Sequence, residues 1–302
     1  MKVKIVIPTF NGGELWRMVA KRVVEITKNE KYINGVLIID SGSSDSTTQI
    51  SKQSGFDVHS ISSEEFNHGG TRNLGVTLSG SDIVIFLTQD ALPTKNSFAN
   101  IIMPFKDLTV AAAYGRQTPH DNATPIAIHA RQFNYKEESY ISEINAKKTL
   151  GIKTVFLSNS FSAYRTSIFN DLGGFPNNTI LGEDMFFAAK AILSGYKIAY
   201  AADAIVQHSH NYTLVAEFKR YFDIGVFHND EKWIRENFGG AGGEGKRFII
   251  SEFKHLLRNK PLLVPLACAN NFAKIVGYKL GQNYQKLPKY FIKKLSMHKR
   301  YW

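Results

Sequence analysis

Short apolar runs alternate with amphipathic stretches along the N-terminal part of the chain. Lys2 to Pro8 reads as a strand buried on both faces. The turn Pro8-Thr9-Phe10-Asn11-Gly12-Gly13 leads into Glu14 to Lys28, whose apolar residues recur at helical spacing. Gly35-Val36-Leu37-Ile38-Ile39-Asp40 repeats the plan, a strand closing on a carboxylate, and Ser44 or Asp45 is placed to cap a helix running to about Ser54. A third short strand is expected over Phe56 to Ile61 and a helix from Gly69 through Ser79. The continuous run Ser81-Asp82-Ile83-Val84-Ile85-Phe86-Leu87-Thr88-Gln89-Asp90 then reads as a fourth strand, ending on Asp90. Further on, Glu183-Asp184 opens an apolar helix to about Leu193, and the strand-like Ala204-Ile205-Val206 runs into Gln207-His208-Ser209-His210.

Strand and helix alternating in this way predict an α/β fold, a doubly wound, mostly parallel sheet flanked by helices. Right-handed crossovers bring the strand ends to one edge, so Asp40, Asp90 and the turn after Pro8 should line a single crevice. Asp90 taken alone is equally a cap for a helix beginning near Pro93 to Ser97. The glycine run Gly239-Gly240-Ala241-Gly242-Gly243 reads as a flexible break. It divides a nucleotide-binding and catalytic unit, 1–238, from a basic, partly amphipathic helical tail, 239–302.

With 302 residues, 43% of them hydrophobic, the chain can bury a large core and is not disordered. The single cysteine, Cys268, rules out an intramolecular disulfide and a cysteine-built zinc site, which fits the cytosol. Neither a signal core nor a bilayer-length apolar stretch is visible. The net charge of +11 calls for an acidic partner, and its position is informative. From Lys246 onward thirteen Lys and Arg face one acid, Glu252, so residues 1–245 are close to neutral. Aromatic residues among these lysines suit an anionic membrane surface; a solvated helical pair or an oligomer contact also accounts for them. Nucleic acid is disfavoured because no recognised binding module accompanies the charge. The first turn lacks the Gly-x-Gly-x-x-Gly of a dinucleotide site, and no P-loop occurs.

Ile5-Val6-Ile7-Pro8-Thr9-Phe10-Asn11, Ile39-Asp40-Ser41-Gly42-Ser43-Ser44-Asp45-Ser46-Thr47, Gly69 to Asn73 and Gly182-Glu183-Asp184 resemble, in order, the motifs of family 2 inverting glycosyltransferases, which have the GT-A fold. Phe66 to Asn73, Thr88-Gln89-Asp90-Ala91 and the ending from Gly277-Tyr278 to Trp302 are similar to the rhamnosyltransferases of surface-polysaccharide assembly. The resemblance implies a nucleotide-sugar donor (dTDP or UDP, first choice dTDP-rhamnose), a growing, lipid-linked glycan as acceptor, and a place at the inner face of the cell membrane.

Glycosyl transfer needs a cradle for the nucleotide, positive charge at the departing diphosphate, and a base for the acceptor hydroxyl. For the cradle, Asp40 can accept the ring N–H of uracil or thymine, beside Pro8, Thr9, Phe10 and Ser41, while Gln89 is placed for the ribose; a turn or cap role explains Asp40 as well. Arg72 falls in the first turn of its helix, where a cation is disfavoured and a compensating anion is expected; the resemblance puts it beside the base or phosphates. A divalent cation, Mg²⁺ or Mn²⁺, is implied at the diphosphate. The family's paired acids are reduced here to Asp90 in Thr88-Gln89-Asp90, so a further ligand is required, His208 first and His210 second. The resemblance assigns the base to Asp184, with Glu183 orienting acceptor or backbone. Because the acidic motif is incomplete, a catalytically silent scaffold of the same fold is the alternative.

Overall fold

In a computed structural model, which describes residues 1–28, 30–240 and 242–302, the elements run in this order. The first part comprises β1 (Val3–Thr9), α1 (Gly13–Thr27), β2 (Ile33–Asp40), α2 (Thr47–Gln53), β3 (Asp57–Ser60), α3 (His68–Ser79), β4 (Ile83–Leu87), β5 (Leu92–Pro93) and α4 (Ser97–Ile102). There follow β6 (Val110–Thr118), α5 (Pro125–Asn134), β7 (Tyr140–Ser142), α6 (Lys147–Leu150), β8 (Phe161–Arg165), α7 (Thr166–Asp171), α8 (Glu183–Leu193) and β9 (Lys197–Gln207). The last part is helical: α9 (Leu214–Asp230), α10 (Lys232–Phe238), α11 (Gly242–Asn259), α12 (Val264–Gln282) and α13 (Lys289–Leu295).

The strands form one mixed sheet in the order β3-β2-β1-β4-β8-β6-β9-β5, with β7 also on β9. β3, β2, β1 and β4 are parallel, as their unbroken apolar runs predict, and Thr9 faces Asp40 across the β1–β2 ladder. β8 enters antiparallel between β4 and β6. Trp16 and Val19 of α1 with Phe98 of α4 pack one face of the sheet, while Val76 of α3, Phe187 of α8 and Phe222 of α9 pack the other.

The fourth strand is shorter than its apolar run. It ends at Leu87, where its pairing with Phe161 ends, and the Ala91 N–H donates to the Thr88 carbonyl across a turn that carries Asp90. The next helix starts at Ser97, with Asn96 preceding it, so Asp90 does not cap it. The expected glycine break also changes: Ala241 lies outside the described residues, while Gly242 and Gly243 already belong to α11.

The tail helices are built into the molecule. Gly277 and Gly281 of α12 lie so close to the Phe218 and Phe222 carbonyls of α9 that a Cβ at either would collide with backbone. Ile292 of α13, which packs on α9, joins the same core as Val76 of α3 and Phe187 of α8. The chain end then returns across the N-terminal half. The Met297 and His298 N–H groups donate to Asp223 Oδ2 at 2.9 and 3.1 Å. Arg300 donates to the Ser63 carbonyl at 2.9 Å and lies 5.5 Å from the centre of the Phe10 ring.

Candidate active site

Asp90, on the turn after β4, meets the two histidines that follow β9. His208 Nε2 is 3.4 Å from Asp90 Oδ1 and His210 Nε2 is 3.7 Å from Oδ2. One ligand atom from each lies within 4.8 Å of the others. The buried His208 is oriented from behind, with Nδ1 2.8 Å from Gln117 Oε1. Arg131 donates to that same oxygen at 2.6 Å, so the atom is an acceptor and His208 must donate to it from Nδ1. Nε2 is then the ring atom turned toward Asp90, the arrangement by which an outer hydrogen bond orients a metal-binding imidazole. Burial works to raise the Asp90 pKa, but the hydrogen bond and charge of His208 outweigh it and hold the carboxyl well below its usual range. Burial and the neighbouring His208 push His210 down to about 4, so it is a neutral imidazole at pH 7. A carboxylate and imidazole nitrogens are a donor set that fits a divalent cation.

The second centre opens α8. Gly182 adopts a left-handed φ of 78°, with the Phe227 ring 2.9 Å from where a Cβ would stand, and sets Glu183 and Asp184 side by side. Their environments drive them apart. Glu183 is 5% exposed, lies 3.2 Å from Arg72 Nη1 and accepts from Asn159 Nδ2 at 2.9 Å. Burial opposes its ionisation, but the Arg72 charge prevails and its pKa is lowered. Asp184 accepts from the backbone N–H groups of Asn159 and Met185, at 3.1 and 2.8 Å. Burial, and next the Glu183 charge, nevertheless push it up to about 7. A carboxyl poised there is suited to take a proton at neutral pH.

The residues expected to cradle a nucleotide gather at the ends of β1 and β2. Asp40 is 2% exposed and holds its own turn together, accepting from Thr9 Oγ1 at 3.0 Å, Ser43 Oγ at 2.6 Å, Ser43 N at 2.9 Å and Gly42 N at 3.2 Å. The Ser41 N–H donates to the Thr9 carbonyl at 2.9 Å. Gln89 clasps Phe10, accepting from its N–H at 2.9 Å and donating to its carbonyl at 3.1 Å. Pro8 is half-buried in β1. Arg72 lies against Glu183, donates to the His68 carbonyl and lines the same cavity as His208 and Asp184. Because α3 already starts at His68, Arg72 falls just past the first turn expected for it, and its anion is Glu183. The glycines of His68-Gly69-Gly70 are capped from within, both N–H groups donating to Asn67 Oδ1.

A cavity of about 1340 Å³ joins the first two centres, with Arg72, Asp184, His208 and His210 in its wall. Its wall also holds residues that the sequence pattern does not single out. Arg220 of α9 reaches it beside the rings of Tyr212 and Tyr221, at 5.6 and 5.7 Å, and makes no ion pair among the described residues. Nothing local marks Arg220 in a run of helical spacing, whereas Gln117, Arg131 and Asn159 act through partners far away in sequence.

Residues 4–173 match glycosyl transferase family 2. The chain is 50% identical over 305 residues to the O-antigen chain rhamnosyltransferase RfbN of Salmonella typhimurium, covering 100% of this chain and 96% of that protein. It is 51% identical to the O-antigen chain rhamnosyltransferase WbaN of Salmonella anatum, over 99% of this chain and 95% of that one. The mannosyltransferase PcManGT of Pyrobaculum calidifontis, solved in complex with GDP-Man and Mn²⁺, shares the fold at a TM-score of 0.58 and 19% identity, over 99% of this chain and 84% of that one.

Proposed function

The chain belongs to glycosyl transferase family 2 and is a glycosyltransferase, and from that premise we propose that it moves L-rhamnose from dTDP-rhamnose to a growing, lipid-linked glycan, with inversion. The observation that carries this reading is the pairing, across one cavity, of an acid tuned to about 7 with an acid held ionised among histidines. The names of the two Salmonella relatives support rhamnose as the sugar.

Asp184 takes the proton of the acceptor hydroxyl as its oxygen attacks the anomeric carbon. The bond from that carbon to the phosphate oxygen breaks on the opposite side, and dTDP leaves with the bonding electrons. Glu183, held ionised by Arg72, keeps negative charge beside Asp184 and so keeps the base strong. Asn159 fixes both acids through its backbone N–H and its side chain. Asp90, His208 and His210 would hold a divalent ion, Mg²⁺ or Mn²⁺, which when bound supplies positive charge to the departing diphosphate. Arg220 adds a cation in the same cavity. Pro8, Thr9, Phe10, Asp40, Ser41 and Gln89 shape the base and ribose side.

No helix among the described residues is long and apolar enough to cross a membrane. A lipid-linked acceptor is reached by surface contact instead, at the cytoplasmic face, through the basic tail with its exposed Leu262 and Phe272.

A panel of nucleotide sugars read by thermal shift tests the reading, since a ligand that binds the native state raises the melting temperature. We expect dTDP-rhamnose to give the largest rise, the rise to grow with Mn²⁺, and the Mn²⁺ increment to vanish in Asp90→Asn. A panel without any shift contradicts it.

A further inference from the structure

A second cavity, of about 550 Å³, lies between α5 and α11. α5 contributes His129, Gln132 and Phe133, spaced as one face of a helix, Lys136 follows just after its end, and α11 answers with a stripe from Arg247 to Arg258. Lys136, Arg247, Lys254 and Arg258 bring four cations to its wall, and no carboxylate lines it. The nearby Glu244 engages Arg247 at 2.6 Å from outside the lining. Like charges across a helix contact repel, so a groove lined in this way calls for a compensating anion.

At its base His129 is 3% exposed, with Nε2 2.9 Å from Ser251 Oγ and Nδ1 buried without a hydrogen-bond partner. Burial, then the charges of His255, Lys136 and Lys274, push its pKa down to about 4, so the ring is neutral. In either tautomer Nδ1 is a buried polar atom whose hydrogen bond is not made among the described residues. The flank of α11 beside the stripe is apolar and exposed: Ile250 and Phe253 are each 46% exposed and Leu257 is 50%. Leu262, just beyond the helix, is 93% exposed. A cationic groove bordered by an exposed apolar strip is complementary to a phosphate at the surface of acyl chains.

We infer that this groove seats the phosphate of an anionic bilayer lipid while Phe253, Leu257 and Leu262 enter the acyl boundary. The inference rests on the membrane contact proposed above and assigns it to one pocket. Cosedimentation of the full chain with phosphatidylcholine vesicles, with and without phosphatidylglycerol, tests it. The wild type should sediment only when phosphatidylglycerol is present. The double variant Lys254→Ala/Arg258→Ala should lose at least about tenfold in vesicle affinity with its melting temperature kept. The charge-matched Lys95→Ala/Lys106→Ala, on exposed sites outside the tail, should lose little. Equal losses in the two variants would show diffuse attraction and overturn the pocket while leaving the membrane contact standing. Failure of the wild type to sediment would overturn both. Inorganic phosphate bound by the protein in calorimetry, without any vesicle binding, would assign the groove to a soluble anion and overturn the lipid.

Discussion

Glu183 and Asp184 are adjacent, yet only the first has a cation at hand. Burial, and next the Glu183 charge, push the Asp184 pKa up to about 7 in the fold against 3.8 for an ordinary aspartate, and the sign of both consequences follows. As a base it works ionised, so kcat/KM for donor turnover should rise with pH through about 7 and level off above it. A pH profile of dTDP release checks this; a plateau already reached at pH 5 contradicts it. For stability, the folded chain keeps a proton that the unfolded chain loses above about 3.8, so this contribution is complete below that pH and is lost as pH rises to about 7. Asp184→Asn should thus melt higher than wild type at pH 8, by on the order of 1 kcal/mol, with the gap closing toward pH 4. Behind the histidines, Gln117→Ala should weaken Mn²⁺ binding by about 10- to 100-fold in calorimetry, since His208 loses the partner that fixes its ring. The places of Asp184, Asp90 and His208 at element ends were legible from the apolar runs beside them, while the roles proposed for them came from the family resemblance. Gln117, Asn159 and Arg220 were not legible, because their roles depend on neighbours that only the sheet and the helix packing bring near.

At the scale of elements, the apolar runs of β1, β2 and β4 identified the parallel half of the sheet, since strands covered on both faces leave a strong pattern. They overran the end of β4 because burial continues into the Thr88–Ala91 turn while the ladder stops with Phe161, a partner on a strand far along the chain. The antiparallel entry of β8 has no local signature. The α9–α12 crossing is hidden for the same reason, as Gly277 and Gly281 resemble loop residues until the Phe218 and Phe222 carbonyls are seen against them. Gly277→Val should cost about 1–3 kcal/mol of unfolding free energy, because the branched side chain must force two backbones apart. Urea denaturation measures it; an unchanged midpoint would mean that the helices do not meet there.

For the whole molecule, charge marks the tail off from the rest of the sequence, but charge does not report packing. Ile292 shares a core with Phe187, and the chain end reaches back to Asp223, Ser63 and Phe10. Residues 1–245 alone should therefore fail to unfold cooperatively, because the α9 face around Gly225 loses its cover. A sharp calorimetric transition in that fragment would contradict the shared core. The proposed nucleotide cradle at the ends of β1 and β2, the proposed cation triad after β4 and β9 and the proposed base at the start of α8 belong to one fold, and the tail helices wall the cavity that joins the last two. The central claim is that Asp184 removes the acceptor's proton. Release of dTDP from dTDP-rhamnose by wild type and by Asp184→Asn, at pH 8 with saturating Mn²⁺, tests it most directly: the account predicts a fall of about 10²- to 10⁴-fold in the variant, and equal rates would contradict it.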